Sequence, residues 1–216
     1  MEGPLRDPDV PDGEEAGTGT MRVERGDDFY RQLLSMRIQE EAEYEAEIVF
    51  RRRRGVVLAD SYRSETSHDG RPVAVEEGRF RDVKGLQWGG EIEPYPADVS
   101  PLLGCALSLR GLDFERGARR QFALWLANTV HWPIETRVER VETIELPLGS
   151  RRAWRVRVWP SFERVAGPLD RLVAMILPPF VLHFDAEPSH RFLRFEFPTG
   201  PFRWNPHGVI EATELR

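Results

Sequence analysis

The sequence predicts an α+β protein built on a strongly curved antiparallel β-sheet, a half-barrel of about nine or ten strands. An N-terminal helix and a second short helix are expected on the concave side of this sheet. The prediction depends on apolar and polar residues that alternate in short stretches, on turn signals between these stretches, and on two segments with a different, helical spacing. Side chains in a strand alternate sides with period 2, so each alternating stretch indicates one buried and one solvated face.

The N-terminal segment 1–24 is rich in Gly, Pro and acidic residues, which predicts a disordered acidic tail followed by a single curved-sheet domain over 25–216. The chain carries a net charge of −6, and residues 1–20 hold six acidic side chains against one basic one. The rest is nearly neutral, so no nucleic-acid partner is expected.

The N-terminus lacks the basic and apolar regions of a signal peptide. This predicts a cytoplasmic location for the sequence as written, and a periplasmic location only if the true start differs.

A helix is predicted over residues 29–39. Asp27 or Asp28 can cap it, and its apolar residues recur at a spacing of three to four: Phe29, Leu33, Leu34 and Ile38. The first strand follows from about Ala42.

The strands are predicted from alternation and from the turns between them. The sequence His68-Asp69-Gly70 is typical of a tight hairpin turn. Residues 51–55 indicate another turn, and 89–104 a long loop or crossover. The alternating apolar sets are Ala42-Tyr44-Ala46-Ile48-Phe50, Phe122-Leu124-Leu126, Trp154-Val156-Val158, Phe180-Leu182-Phe184 and Leu193-Phe195-Phe197.

The second helix is predicted from Pro168 to Leu177, where Pro178 and Pro179 end it. Residues 172–182 form the longest uncharged apolar run, and it is too short to span a bilayer. Such a segment either fills the open side of the sheet, closes an apolar cavity as a lid, or docks on a partner protein. The residues expected to line an apolar-ligand cavity or its lid are Leu172, Met175, Ile176, Phe180, Leu182 and Phe184.

Three segments resemble the DUF3108 family. They are the strand–turn–strand sequence Glu142–Ser150 with Ala153–Val156, the upstream Leu112–Gly117 and the downstream turn Phe184–Arg191. The resemblance implies the curved half-barrel of bacterial lipoprotein carriers, in which helices close a concave apolar sheet. The absence of an export signal departs from that family.

No familiar catalytic motif is present, and no cofactor or metal site is assigned. The best candidate for metal or catalytic chemistry is His183 with Asp185, Glu187 and His190, because two imidazoles and a carboxylate can hold a divalent metal. The alternation favours a solvated face for these residues, opposite Phe180, Leu182 and Phe184. The single cysteine, Cys105, lies in an apolar run and is interpreted as a small core residue.

The function predicted first is a non-enzymatic binding protein for a lipid-like or other apolar molecule. One alternative is a structural or interaction subunit that docks on a protein partner through residues 172–182. Another is a metal-dependent hydrolase that uses the region His183–His190.

Overall fold

The computed structural model describes residues 2–6, 15–38, 41–53, 56–80, 84–86, 92–127, 130–161, 179–198 and 207–215. Strands dominate these residues. They are β1 (Glu2–Arg6), β2 (Glu15–Arg25), β3 (Phe29–Ile38), β4 (Ala42–Arg53), β5 (Val56–His68), β6 (Arg71–Arg79), β7 (Lys84–Leu86), β8 (Ile92–Pro94), β9 (Ser100–Pro101), β10 (Arg119–Ala127), β11 (Val130–Ile144), β12 (Arg151–Pro160), β13 (Phe180–Asp185), β14 (Phe192–Pro198) and β15 (His207–Glu211). Helical structure in the described residues is limited to a 3₁₀ turn, Leu102–Gly104, and one short helix, α1 (Cys105–Leu109).

The α+β prediction is therefore wrong, and the described chain is mostly β. The segment predicted as an N-terminal helix is strand β3, which pairs antiparallel with β4 from Phe29–Arg51 to Ile38–Ala42. The apolar residues of this short segment fit both periods, and pairing with β4 decides between them. The second predicted helix, Pro168–Leu177, lies outside the described residues, as do Leu172, Met175 and Ile176.

The N-terminal segment contains two strands within the range that composition marks as a tail. Residues 2–6 form β1, which pairs with β15 through Leu5 and Ile210, and residues 15–25 form β2. The proposed boundary of the folded domain at residue 25 stays a prediction.

Contacts along the chain divide it into two compact units. Unit 1 comprises Met1–Thr18, Leu112–Gln121 and Pro133–Arg216, and unit 2 comprises Gly19–Gly111 and Phe122–Trp132. In unit 1 the hydrogen-bonded strand order is β1-β15-β14-β13-β12-β11, and in unit 2 it is β6-β5-β4-β3-β2. Most pairs are antiparallel, whereas β9 pairs with β10 in parallel.

Unit 2 encloses an apolar core on one face of β3, β4 and β5. Ile48 and Phe50 of β4 are fully buried, while their sequence neighbours Glu43, Glu45 and Glu47 are exposed, which confirms the predicted alternation in this strand. The members of this core cluster include Ala46, Ile48, Phe50, Ala59, Tyr62, Phe80, Val99, Ala123 and Trp125. Burial of this apolar area is the main force that holds the unit together.

The hairpin turn between β5 and β6 has the geometry that its sequence predicts. Asp69 and Gly70 both have positive φ, at 50° and 69°, and His68 pairs with Arg71 across the turn. Asp-Gly tolerates this left-handed conformation, which is why the dipeptide predicts the turn correctly.

Within the residues described, no helix combines the length and apolarity needed to cross a membrane.

Candidate functional site: a buried histidine among ion pairs

The candidate site of unit 1 lies on one face of its sheet, where polar residues of adjacent strands are in register. His183 on β13 pairs with Arg155 on β12 and with Arg194 on β14, and Arg194 pairs with Glu211 on β15. Directly opposed residues in adjacent strands point to the same face. The four side chains therefore form one polar row across four strands.

His183 occupies the most buried position of this row. It is 1% exposed, and its Nε2 lies 2.9 Å from Oε1 of Glu142 on β11. The other ring nitrogen, Nδ1, is buried and has no hydrogen-bond partner among the described residues. Burial lowers the pKa of His183, although the hydrogen bond to Glu142 opposes this effect. The imidazole is therefore neutral at neutral pH and donates its Nε2 proton to Glu142.

Glu142 is held ionised by its surroundings. Burial alone would raise its pKa, but the hydrogen bond from His183 and the positive charge of Arg140 outweigh that effect and lower the pKa. Nη2 of Arg140 lies 2.7 Å from the second carboxylate oxygen of Glu142. A carboxylate that accepts one hydrogen bond and forms an ion pair with an arginine makes a strong anchor for a buried histidine.

Further ion pairs surround this dyad. Glu139 accepts a hydrogen bond from Nε of Arg155 at 2.9 Å, and its other oxygen forms an ion pair with Arg157 at an N···O distance of 2.9 Å. Arg194 lies 3.0 Å from Glu196 and 3.4 Å from Glu211. The set, called the His183 network below, contains four arginines, four glutamates and the histidine: Glu139, Arg140, Glu142, Arg155, Arg157, His183, Arg194, Glu196 and Glu211.

The prediction of a solvated face at His183 is wrong. Residues 181–184 of β13 are all buried, so both faces of this strand are covered. Arg155 and Arg194 lie directly opposite His183 on the two neighbouring strands, and both side chains are mostly buried. Long arginine stems are able to cover a face that alternation alone would leave in water.

The residues grouped with His183 by the sequence have other roles. Asp185 Oδ1 accepts from the backbone N–H of Glu187 at 3.0 Å, and Nδ1 of His190 lies 2.9 Å from the carbonyl oxygen of Asp185. The His190 ring stacks on Phe114 at 4.0 Å. These contacts fix the turn between β13 and β14, and among the described residues no three His, Cys, Asp or Glu side chains are placed to hold a metal ion.

Three of the six residues predicted to line an apolar cavity, Phe180, Leu182 and Phe184, lie on the opposite face of β13, and the other three lie outside the described residues. Leu182 and Phe184 are buried, whereas Phe180 is half-buried. Phe184 contacts Phe114 edge-to-face at 5.5 Å, and Phe180 lies 5.8 Å from Phe195 of β14. The aromatic row continues to Phe197, 5.3 Å from Phe195.

Cys105 lies in α1 and is buried, in agreement with its interpretation as a core residue. Burial raises the pKa of its thiol to about 12, so the reactive thiolate is scarce at neutral pH. Its burial and its raised pKa both fit a residue that packs in the core.

Sequence reasoning missed Glu142, Arg155 and Arg194. The period-2 alternation of β12 places Arg155 and the apolar Val156 on opposite faces of the strand. The polar face of β12 could therefore have been predicted from the sequence. His183 and Glu142 are 41 residues apart in the sequence, so their contact could not be predicted. The sequence of one strand does not determine which strand lies beside it or in which register.

Comparison with known proteins gives a fold likeness. No family model matches the chain, and no curated protein matches it. A solved structure described as a β-barrel-like protein of domain of unknown function DUF1849, from Brucella abortus, is similar with a TM-score of 0.56 and 13% identity, over 97% of this chain and 93% of that chain. The likeness shows a shared fold, and the resemblance to DUF3108 is wrong.

Proposed function

We propose that this chain is a non-enzymatic binding protein, and that its ligand is an apolar molecule bound on the aromatic face of unit 1. The fold shared with a β-barrel-like protein is compatible with a binding function. Sheets of this kind commonly bind ligands on an apolar face.

One observation supports the apolar ligand most directly. Phe180, Phe195 and Phe197 form a continuous aromatic row on β13 and β14, and its two outer members are only half-buried. Aromatic side chains that keep exposed area in a row offer a ligand large apolar contacts. Gly208 on β15 lies beneath the Phe197 ring, where a Cβ would collide with it, so the sequence leaves room for this ring to lie flat on the sheet.

The role of residues 172–182 as a lid stays a prediction, because most of that segment lies outside the described residues. The aromatic row is a more direct target for a test, since it belongs to strands whose pairing is defined.

Titration with the neutral apolar fluorophore Nile red tests this proposal. Wild-type protein is expected to bind the probe, and the variant Phe180→Ala/Phe197→Ala is expected to bind it at least about tenfold more weakly, because two aromatic contacts are removed. Val75→Ala is the matched control, since Val75 is an apolar residue 51% exposed on β6 of unit 2.

Circular dichroism melts of all three proteins separate loss of binding from loss of folding. Native mass spectrometry of gently purified wild type would add the mass of any bound apolar molecule. A wild type that binds neither probe nor co-purified molecule contradicts the proposal. A folded double variant with unchanged probe affinity contradicts the assigned face.

A further inference from the structure

A cleft at one end of the unit 1 sheet collects three arginines from two turns. Its volume is about 490 Å³, and it opens between the β11–β12 turn and the β13–β14 turn. The lining residues are Ser150, Arg151, Arg152, Asp185, Ala186, Glu187, Arg191 and Leu215. This volume is in the range of sites for small organic ligands. The three arginines and this space are called the arginine cleft below.

The guanidinium groups of the cleft differ from those of the described arginines that form ion pairs. Arg63, Arg119 and Arg155 each lie within 3.2 Å of a glutamate oxygen. Across the part of the chain that the structure describes, Arg151, Arg152 and Arg191 have no ion-pair partner. Their positive charge is therefore available to an anion from outside the chain.

The two turns hold the arginines on a defined backbone. Gly149 has φ +99°, a conformation that favours glycine, and its N–H donates to the Leu146 carbonyl at 2.9 Å just before Ser150. On the other side, the N–H of Ala186 donates to the Arg152 carbonyl at 3.0 Å, and the N–H of Asp185 donates to the Arg191 carbonyl at 2.8 Å. A binding site on such a preorganised backbone loses less entropy when a ligand binds.

The acidic residues of the cleft do not neutralise it. One oxygen of Asp185 accepts from the N–H of Glu187, and the Glu187 side chain is exposed to solvent. Three guanidinium groups exceed the two carboxylates by one charge. Leu215, which packs against the cluster of Ile144, Leu146, Ala153 and Leu193, adds an apolar wall beside them.

We propose that the arginine cleft binds a phosphate group. Guanidinium groups match the geometry of phosphate oxygens with paired N–H donors, and three cations suit a dianion better than a single carboxylate. The Ser150 hydroxyl supplies a further donor in the same cleft. The apolar wall at Leu215 suits a ligand that carries an apolar portion next to its phosphate.

Calorimetric titration with inorganic phosphate and with phenyl phosphate tests this site on the full chain. Wild type is expected to bind both, and phenyl phosphate more tightly. Arg151→Gln/Arg191→Gln is expected to weaken both affinities at least about tenfold, because two charge-assisted hydrogen-bond donors are lost. Arg22→Gln, which removes an exposed arginine paired with Glu24, is the matched control and is expected to leave both affinities unchanged. All three substituted arginines are exposed, so circular dichroism melts are expected to stay close to wild type.

A vesicle arm distinguishes a free phosphate compound from a lipid headgroup. Co-sedimentation with phosphatidylcholine vesicles, with and without phosphatidic acid, reports whether the phosphate can be presented by a membrane. Binding that requires both phosphatidic acid and the two arginines assigns the phosphate to a lipid, and binding of the soluble phosphates alone assigns it to a small molecule. No binding of either kind, or equal binding by wild type and the double variant, overturns the proposal. This result is independent of the Nile red result, because the aromatic row and the arginine cleft share no residue.

Discussion

At the scale of single residues, His183 keeps an uncharged imidazole within the His183 network of four arginines and four glutamates. Its lowered pKa means that the folded protein resists protonation at pH values where the unfolded chain accepts a proton. The unfolded state then binds more protons as the pH falls, so folding stability is lost with acidification. The charged groups around it include Arg155 from β12 and Arg194 and Glu196 from β14, the two neighbouring strands, and Glu142 from β11, one strand further away.

Above the ordinary histidine pKa of 6.5, His183 is neutral in both the folded and the unfolded state, so it does not make the free energy of unfolding depend on pH. Below that value the unfolded state takes up a proton that the folded state resists, so we expect the free energy of unfolding to fall as the pH drops. Glu142, whose pKa is also lowered, adds a second loss of stability below its ordinary value of 4.5.

Urea unfolding of wild type and His183→Gln between pH 7.5 and 5 measures the first effect, because glutamine does not titrate. The variant should lose less stability over this range. His68→Gln, at a histidine 53% exposed, is the control and should follow wild type. Parallel curves for wild type and His183→Gln would contradict the assignment.

Glu142 gives a second test at this scale. Glu142→Ala removes the partner of His183 Nε2 and leaves a buried donor unsatisfied, which costs about 1–3 kcal/mol. Glu142→Gln retains a carbonyl oxygen that can accept from Nε2, so it should lose less stability than Glu142→Ala. Denaturant unfolding at pH 7.5 compares the two variants. Equal losses would show that the charge of Glu142 matters and the hydrogen bond does not.

These residues show where sequence reasoning stops. Alternation correctly places Leu182 and Phe184 on one face and His183 on the other. It does not indicate that the second face is also covered, because coverage depends on which long side chains neighbouring strands bring alongside. The position of Cys105 in the core was predictable, since its apolar neighbours are adjacent in sequence.

At the scale of elements, strand β3 is where local pattern and tertiary pairing disagree. Gln32 is fully buried and donates from Nε2 to the Leu103 carbonyl at 2.8 Å, while Phe29 and Leu33 are only half-buried. A buried amide interrupts the apolar alternation that made β4 easy to predict. The remaining apolar residues then fit a helical spacing by coincidence, and only the long antiparallel pairing with β4 fixes the strand.

Cysteine cross-linking tests the register of β3 and β4. Ser35 and Glu45 are directly opposed and both exposed, so Ser35→Cys/Glu45→Cys should form an intramolecular disulfide under mild oxidation. Ser35→Cys/Glu47→Cys, two residues out of register, is the matched control and should cross-link far less. Both variants retain the buried Cys105, which is expected to stay unreactive. Cross-linking efficiency measured by mass spectrometry after digestion compares the pairs, and equal efficiencies would contradict the register.

At the scale of the whole molecule, the fold is maintained with little sequence likeness. The chain aligns with the DUF1849 structure over 97% of its length at 13% identity. Cores tolerate extensive replacement as long as volume and the apolar–polar pattern are kept, so alternation can be retained while most identities change. For the same reason the shared fold does not carry function from one protein to the other, and the binding proposals depend on this chain's own aromatic row and arginine cleft.

Gly19 on β2 tests whether the N-terminal segment packs on the rest of the sheet. A Cβ at Gly19 would lie 2.8 Å from Cγ of Met36 and 2.9 Å from the backbone oxygen of Ser35. If β2 packs on β3 as described, Gly19→Val forces the two strands apart and should lower Tm by several degrees, since about 1 kcal/mol corresponds to about 2–4 °C in a chain of this size. Thr20→Val, at the exposed neighbouring position of β2, is the control and should leave Tm nearly unchanged.

Two truncations extend this test from one residue to the whole segment. Removal of residues 1–24 takes away β2 up to its last residue and leaves β3 without that neighbour, so its Tm should fall further than that of a chain lacking only residues 1–14. The unpaired backbone donors and acceptors of β3 and the apolar area that β2 covers account for the difference. Thermal melts followed by circular dichroism compare the two truncations with Gly19→Val. Equal melting temperatures for wild type, Gly19→Val and the longer truncation would show that residues 1–24 behave as the dispensable acidic tail that their composition predicts.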